Sequence, residues 1–175
     1  ADTAETAVAW SVALANRNRP TALLLSRQNL PYAPKNGRIG EVSRGAYVLS
    51  EPADIGLNKA AQAVIIATGS EVGLAIDAQQ ALKEKGIAVR VVSMPSSFMF
   101  DQQDKAYREA VLPRGVPRVA VEAGVSDYWR KYVGLDGAVV GIDRFGECGP
   151  ANQVFEFLGI TAAKVAEAVE GVIAS

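Results

Sequence analysis

The fold class is decided by residues 61–93, which read AQAVIIATGSEVGLAIDAQQALKEKGIAVRVVS. Residues 63–67 form a continuous apolar run, the pattern of a strand that is covered on both faces of a sheet. Apolar side chains then recur at helical spacing until Gly86, which ends the predicted helix. Residues 89–93, VRVVS, form the next predicted strand. Strand, helix and strand in this order are typical of a parallel sheet with helical crossovers.

The same alternation extends on both sides of this unit. The other predicted elements are an edge strand over 46–50, a turn over 51–59, a loop and helix over 95–112, a strand over 118–122, a short helix over 126–133, a strand over 138–142 and a final helix capped by Thr161. We therefore predict an α/β fold, an open and mostly parallel five-stranded mixed sheet with helices on both faces.

The N-terminal residues do not fit this alternation. Residues 3–16 are Ala-rich and predict a helix that is buried on most of its surface, with Asp2 as its cap and a carboxylate at Glu5. Residues 21–26 are apolar and predict a strand. Because one helix and one strand cannot close a core, we interpret residues 1–30 as the last helix and strand of a separate domain.

Linker composition separates this piece from the rest. Residues 31–43 are rich in proline, glycine and polar side chains, which predicts a linker and leaves 44–175 as the α/β domain. A chain that opens on a helix cap, with neither a leader sequence nor a methionine, indicates a piece of a longer protein.

The composition excludes several mechanisms. The 175 residues include no histidine, so the chain cannot by itself supply a Ser-His-Asp triad, a histidine base or a histidine-ligated metal site. A formal net charge of -1 argues against general binding to nucleic acid or membrane surfaces. Uncharged stretches are shorter than the ~20 residues of a membrane span. A single cysteine, Cys148, fits a reducing compartment, and we predict a cytoplasmic location.

Arg27 is the main candidate for ligand binding. It follows the apolar run 21–26, and ligands of open α/β sheets bind beyond the carboxyl ends of the strands. Residues 1–44 hold six basic and three acidic side chains, a bias that favours an anionic ligand, although two solvated faces could differ in this way by chance. A guanidinium group suits a phosphate or carboxylate. The alternative is a structural salt bridge across the domain boundary.

Residues 68–71 begin a helix with small residues and form the second candidate. Backbone N–H groups at a helix start favour anions. However, the stretch lacks both the G-x-G-x-x-G spacing and the lysine of a phosphate-binding loop. We therefore favour simple capping of the helix by Ser70.

The other chemically notable residues favour structural roles. Cys148 has no histidine to activate it, so a turn residue is the better interpretation than a nucleophile. Glu122 has no visible partner in its apolar strand and is interpreted as a satisfied structural carboxylate. Tyr128, Trp129 and Tyr132 predict an aromatic face for packing or for a subunit contact.

Seven collinear motifs resemble the C-terminal portion of transketolase. They are PTALLLSRQN (20–29), IATGSEV (66–72), RVVSMPS (90–96), YREAVLP (107–113), RVAVEAG (118–124), DYW with KYVG (127–129 and 131–134) and FGE (145–147). They cover essentially the whole chain in the right order, which makes the resemblance specific.

The resemblance implies a homodimeric thiamine-diphosphate transferase of the pentose phosphate pathway, which moves a two-carbon ketol unit between sugar phosphates. The cofactor and its Mg²⁺ or Ca²⁺ ion would be bound by the N-terminal and middle domains, outside this chain. No catalytic, cofactor-binding or metal-binding residue is then expected here. One role carries over: Arg27 of the string Ser26-Arg27-Gln28 would bind the substrate phosphate. By itself the chain would be inactive and would support structure and dimer formation.

Three other interpretations stay open at this point. The chain could be the separately encoded half of a split transketolase, which docks on the cofactor-binding half. It could also belong to a related thiamine-dependent enzyme, such as dihydroxyacetone synthase or a 2-oxoacid dehydrogenase component. A generic small-anion-binding α/β module is the third.

Overall fold

A computed structural model describes residues 1–52 and 60–175, so most of the predicted turn over 51–59 lies outside the described residues. The strands are β1 (Tyr47–Ser50), β2 (Ala63–Ala67), β3 (Val89–Ser93), β4 (Arg118–Val121) and β5 (Ala138–Val140). The α-helices are α1 (Thr3–Ala15), α2 (Val72–Glu84), α3 (Ser97–Asp101), α4 (Lys105–Val111), α5 (Arg130–Val133), α6 (Ala151–Leu158) and α7 (Ala162–Ala174). Short 3₁₀ segments span Ile39–Arg44, Gly69–Glu71 and Ser126–Trp129.

The strands form one sheet in the order β1-β3-β2-β4-β5. Strands β3, β2, β4 and β5 are mutually parallel, and β1 pairs antiparallel with β3 at one edge. The parallel strands need crossovers, which α2 and the segments with α3, α4 and α5 supply. The predicted α/β class, with an open and mostly parallel five-stranded mixed sheet, is confirmed.

Each face of the sheet has its own hydrophobic core. In β2, Ala63, Ile65 and Ala67 belong to one core, and Val64 and Ile66 belong to the other. The first core packs against α2 and α7, and the second packs against the region of α3, α4 and α5. Helices cover both faces of β2, so the side chains on both faces are apolar. The apolar run in the sequence is continuous for this reason.

The N-terminal segment departs from two predictions. Residues 21–26 form no strand, and Leu24 is 91% exposed. A strand is held by hydrogen bonds to a neighbouring strand, and none pairs with this run in the described part of the chain. Helix α1 forms with Asp2 as its predicted cap, but most of its surface is not buried, since Trp10 and Leu14 are more than half exposed.

One helix was missing from the prediction. Helix α6 begins after Pro150 and ends at Gly159, whose φ of +75° is the left-handed conformation that terminates helices. Proline before the first turn and glycine after the last turn were visible signals. By contrast, the predicted cap of α7 is confirmed, because the Thr161 hydroxyl accepts from the Lys164 amide at 3.2 Å.

Gly45 carries the sharpest backbone requirement between the N-terminal segment and the sheet. Its φ is +93°, and a Cβ at this position would lie 2.3 Å from Ser96 O and 2.4 Å from Phe100 N. We expect Gly45→Ala to lower the free energy of unfolding by at least about 2 kcal/mol, because strain and overlap add. Gly171→Ala is the matched control, since the space around Gly171 in α7 is open. Urea denaturation of both variants tests this, and equal midpoints would contradict it.

Candidate phosphate-binding site at the carboxyl edge of the sheet

The carboxyl ends of β2 and β4 meet at one edge of the sheet, and a buried carboxylate joins them. Glu71 is 5% exposed. Its Oε1 accepts from the Ala123 amide at 2.7 Å, and its Oε2 accepts from the Ser70 hydroxyl at 2.7 Å. The prediction that Ser70 caps the helix is therefore wrong: α2 has no side-chain cap, and the hydroxyl is used by Glu71. The sequence did not indicate the hydrogen bond between Glu71 and the Ala123 amide, because the two residues lie far apart in the chain.

A second carboxylate lies close to this edge. Glu122 Oε2 accepts from the indole Nε1 of Trp129 at 2.7 Å, and the Trp129 ring is buried. Glu122 thus has a partner and a structural contact, as its sequence context suggested. Two carboxylates near one strand edge repel an anion, so the geometry of residues 68–71 does not support a separate anion site there.

The remaining sequence candidates separate into core and surface. Trp129 and Tyr132 are buried in the second core, whereas Tyr128 is half exposed and shares a hydrogen bond with the Ser97 hydroxyl. The aromatic residues therefore serve packing, with Tyr128 alone at the surface. Cys148 is a free, exposed thiol in the irregular segment before α6.

Arg27 lies in an exposed segment that runs beside this edge. The neighbouring Ser26 Oγ is 3.9 Å from the position of a Cβ built on Gly69, which is two residues past the end of β2. Within residues 1–52 and 60–175, the Arg27 guanidinium has neither a carboxylate nor a hydrogen-bond partner. The described residues therefore include no carboxylate that forms the alternative, a structural salt bridge with Arg27. The Arg27 residue is exposed, and its role in binding phosphate stays a prediction.

A buried polar junction fastens α1 to the sheet near the same edge. Glu5 is 2% exposed, and its Oε1 accepts from Tyr47 Oη at 2.7 Å and from Ser93 Oγ at 2.6 Å. Burial and the Glu5 charge raise the pKa of Tyr47, so this hydroxyl stays protonated and donates. The sequence placed Glu5 at the cap of α1, and its contact with β3 was not foreseen.

The second half of the junction is an ion pair between Asp2 and Lys35, both buried. Lys35 Nζ lies 2.5 Å from Asp2 Oδ2, which also accepts from the Ala33 amide at 3.0 Å. Burial opposes ionisation of Asp2, but hydrogen bonds from Lys35 and from the amides of Glu5 and Ala33 hold its pKa below the usual value. Residues 31–43, linker-like in composition, are thus fixed to the start of α1 by specific contacts.

The described residues also lack two features, a metal-binding cluster and a membrane-spanning helix. No three His, Cys, Asp or Glu side chains among them lie close enough together to hold a metal ion. Over the same residues, no helix has the length and apolarity needed to cross a membrane.

Comparison with known proteins gives the family. The family model described as the transketolase-like TK C-terminal domain matches residues 45–161. The chain belongs to the transketolase family. It is 45% identical to transketolase 2 of Vibrio parahaemolyticus over 99% of its length and 26% of that protein, and 49% identical to transketolase 1 of Escherichia coli over 94% of its length and 24% of that protein. The chain thus spans about a quarter of these transketolases.

Solved structures agree with this assignment. Transketolase from Leishmania mexicana superimposes with a TM-score of 0.86 at 45% identity, over 98% of this chain and 24% of that one. A split gene transketolase described as an inactive beta4 tetramer matches with a TM-score of 0.56 at 25% identity, over 75% of this chain and 43% of that one. The chain is a C-terminal portion of a transketolase, which favours this family over the related thiamine-dependent enzymes considered above.

Proposed function

We propose that this chain is part of an enzyme that transfers a two-carbon ketol unit from a ketose phosphate to an aldose phosphate. The observation that carries the proposal is the match to transketolases over nearly the whole chain at 43–49% identity. We infer a homodimeric, cytoplasmic enzyme of the pentose phosphate pathway. Residues 1–30 would form the last helix and strand of its middle domain, and residues 44–175 would form its C-terminal domain. Residues 31–43 would be the linker between the two domains.

The chain's own residues do not fit the cofactor of this reaction. Thiamine diphosphate with Mg²⁺ or Ca²⁺ needs acidic or carbonyl oxygen ligands for the ion, and the described residues offer no such acidic cluster. We propose that the cofactor is bound by segments outside this chain and that the chain contributes no catalytic residue.

Arg27 is the contribution that this chain would make to substrate binding. A guanidinium group can donate two parallel hydrogen bonds to a phosphate, which fixes both the position and the orientation of the sugar. The exposed position of Arg27 and the lack of a carboxylate partner among the described residues support this role. The sheet and α1 would hold the Arg27 segment in place and support the dimer.

The proposal predicts that the 175-residue chain alone has no ketol-transfer activity. The assay contains thiamine diphosphate, Mg²⁺ and a ketose phosphate and aldose phosphate pair, and the matched control is a full-length transketolase that carries this sequence. We expect turnover only in the control, because the isolated chain lacks the cofactor site. Substantial turnover by the isolated chain would overturn the division of roles.

The second candidate is a docking module from a split transketolase. The likeness to a split gene transketolase favours it. A groove of about 680 Å³ lies between α1 and residues 95–99 and is lined by apolar side chains that include Val12, Phe98 and Met99. Its occupant would be the cofactor-binding half of the enzyme. Mass spectrometry of the polypeptide in the source cell separates the two candidates, since a full-length chain excludes a split gene.

A further inference from the structure

A cavity of about 310 Å³ lies at the opposite end of the sheet from Arg27. It is located where α4 leads into β4, beside α5, at the amino ends of the parallel strands. Five cationic side chains line it: Lys105, Arg108, Arg114, Arg118 and Lys131. Such a concentration contrasts with the near-neutral charge of the whole chain.

The carboxylates in the cavity neutralise only part of this charge. Asp101 pairs with Lys131 at 2.5 Å, and Glu109 pairs with Arg114 at 2.6 Å. Lys105 lies 4.0 Å from the same Glu109, and Arg108 has no carboxylate partner in the part of the chain that the structure describes. With five cations and two anions, the lining keeps a formal charge of +3. Like charges held this close together repel one another, and a bound anion would relieve that repulsion.

Arg118 gives the cavity a charge that water screens only in part. Its guanidinium donates to the carbonyls of Tyr132, Leu112 and Pro113 at 2.8–3.1 Å, and its Nε is buried without a partner. Burial lowers the pKa of Arg118, which reflects the cost of a positive charge at this position. Because most of its N–H groups are already used or covered, Arg118 mainly contributes charge to the cavity, and the exposed cations provide the hydrogen bonds.

We propose that this cavity binds the phosphate group of a small phosphate monoester. Several flexible cations around one cavity suit a dianion that accepts hydrogen bonds on three oxygens. The aromatic residues of the lining, Phe100 and Tyr132, are only 2% and 6% exposed, so they offer no open ring for a nucleotide base to stack on. The cavity volume is at the lower end for ligand sites, which also favours a small ligand.

The test measures binding of inorganic phosphate and of glycerol phosphate by calorimetry at constant ionic strength. All variants carry Arg27→Ala, so the proposed substrate site does not contribute. We expect Arg27→Ala/Arg108→Gln to raise Kd at least 10-fold. Arg27→Ala/Lys164→Gln is the matched control, because it removes one positive charge from α7, where Lys164 pairs with Glu167. It should leave Kd unchanged.

A second measurement fixes the location and checks the fold. Addition of glycerol phosphate should shift amide resonances of residues 105–118 and 130–132 in NMR spectra, and the circular dichroism of the Arg108→Gln variant should match that of its parent, since the Arg108 side chain is exposed. The proposal is wrong if phosphate does not bind, if both double variants lose affinity equally, or if the shifts map elsewhere. None of these outcomes bears on the role proposed for Arg27, because every variant in the test lacks the Arg27 side chain.

Discussion

Replacing Arg27 with alanine in a full-length transketolase that carries this sequence should raise KM for phosphorylated substrates about 100-fold. Two charge-assisted hydrogen bonds to a phosphate contribute roughly 1.5 kcal/mol or more each, and about 2.7 kcal/mol corresponds to a factor of 100. Because the phosphate is remote from the reacting carbons, binding should suffer more than turnover. Steady-state kinetics with a ketose phosphate and an aldose phosphate measure the effect.

Two comparisons make the Arg27 experiment specific. Arg27→Lys retains the charge but loses the planar pair of donors, so it should recover part of the affinity. A ketose donor without a phosphate should be used by the Arg27→Ala enzyme about as well as by the parent. An equal loss for substrates with and without phosphate would mean that Arg27 acts on the fold or on the cofactor, and the proposed contact would be wrong.

The second large effect is expected at Glu5. Glu5→Ala removes the acceptor of two buried hydroxyls, Tyr47 Oη and Ser93 Oγ. Each unsatisfied buried donor costs roughly 2 kcal/mol, so the free energy of unfolding should fall by about 4 kcal/mol. For a chain of this size, that corresponds to a decrease in Tm of roughly 8–16 °C. Differential scanning calorimetry of the chain measures it, with the exposed Glu84→Ala in α2 as a control near zero.

A mutant cycle separates this network from a general loss of packing. In the background Tyr47→Phe/Ser93→Ala, neither hydroxyl remains to be left unsatisfied, so Glu5→Ala should cost much less than in the parent chain. Glu5→Gln keeps an acceptor oxygen and should fall between the parent and Glu5→Ala. If Glu5→Ala costs the same in both backgrounds, the two hydrogen bonds do not explain the stability.

The central sheet could be predicted because its signals are local. The strands predicted over 63–67 and 89–93 coincide with the observed β2 and β3, Ala63–Ala67 and Val89–Ser93. In β2 no polar residue interrupts the apolar run, because helices cover both faces of the sheet. The strand predicted over 21–26 has an equally apolar run but does not form. An apolar sequence supplies the propensity for a strand. The backbone hydrogen bonds that hold a strand also need a neighbouring strand, and the described residues provide none beside 21–26.

The junction and the edge carboxylates could not be predicted, because their partners are far apart in the sequence. Glu5 and Ser93 are 88 residues apart, and Glu71 and Ala123 are 52 residues apart. In each case the polar residue resembles an ordinary cap or helix-start residue when only its neighbours are considered. Arg27 could be singled out as a candidate because its signal, an arginine after an apolar run, is local, and its role stays a prediction. The closeness of the neighbouring Ser26 to Gly69 needed the three-dimensional structure.

The contact between Asp2 and Ala33 has a consequence for the evolution of the segment that carries Arg27. It closes the chain from residue 2 to residue 33 into a loop whose two ends are held together at their base. The entropy lost on closing such a loop grows only slowly with length, by roughly 0.6 kcal/mol for each doubling. Insertions and deletions in the exposed stretch before Arg27 are therefore nearly neutral for stability. If Arg27 binds the substrate phosphate as proposed, its reach can then change without any rebuilding of the sheet.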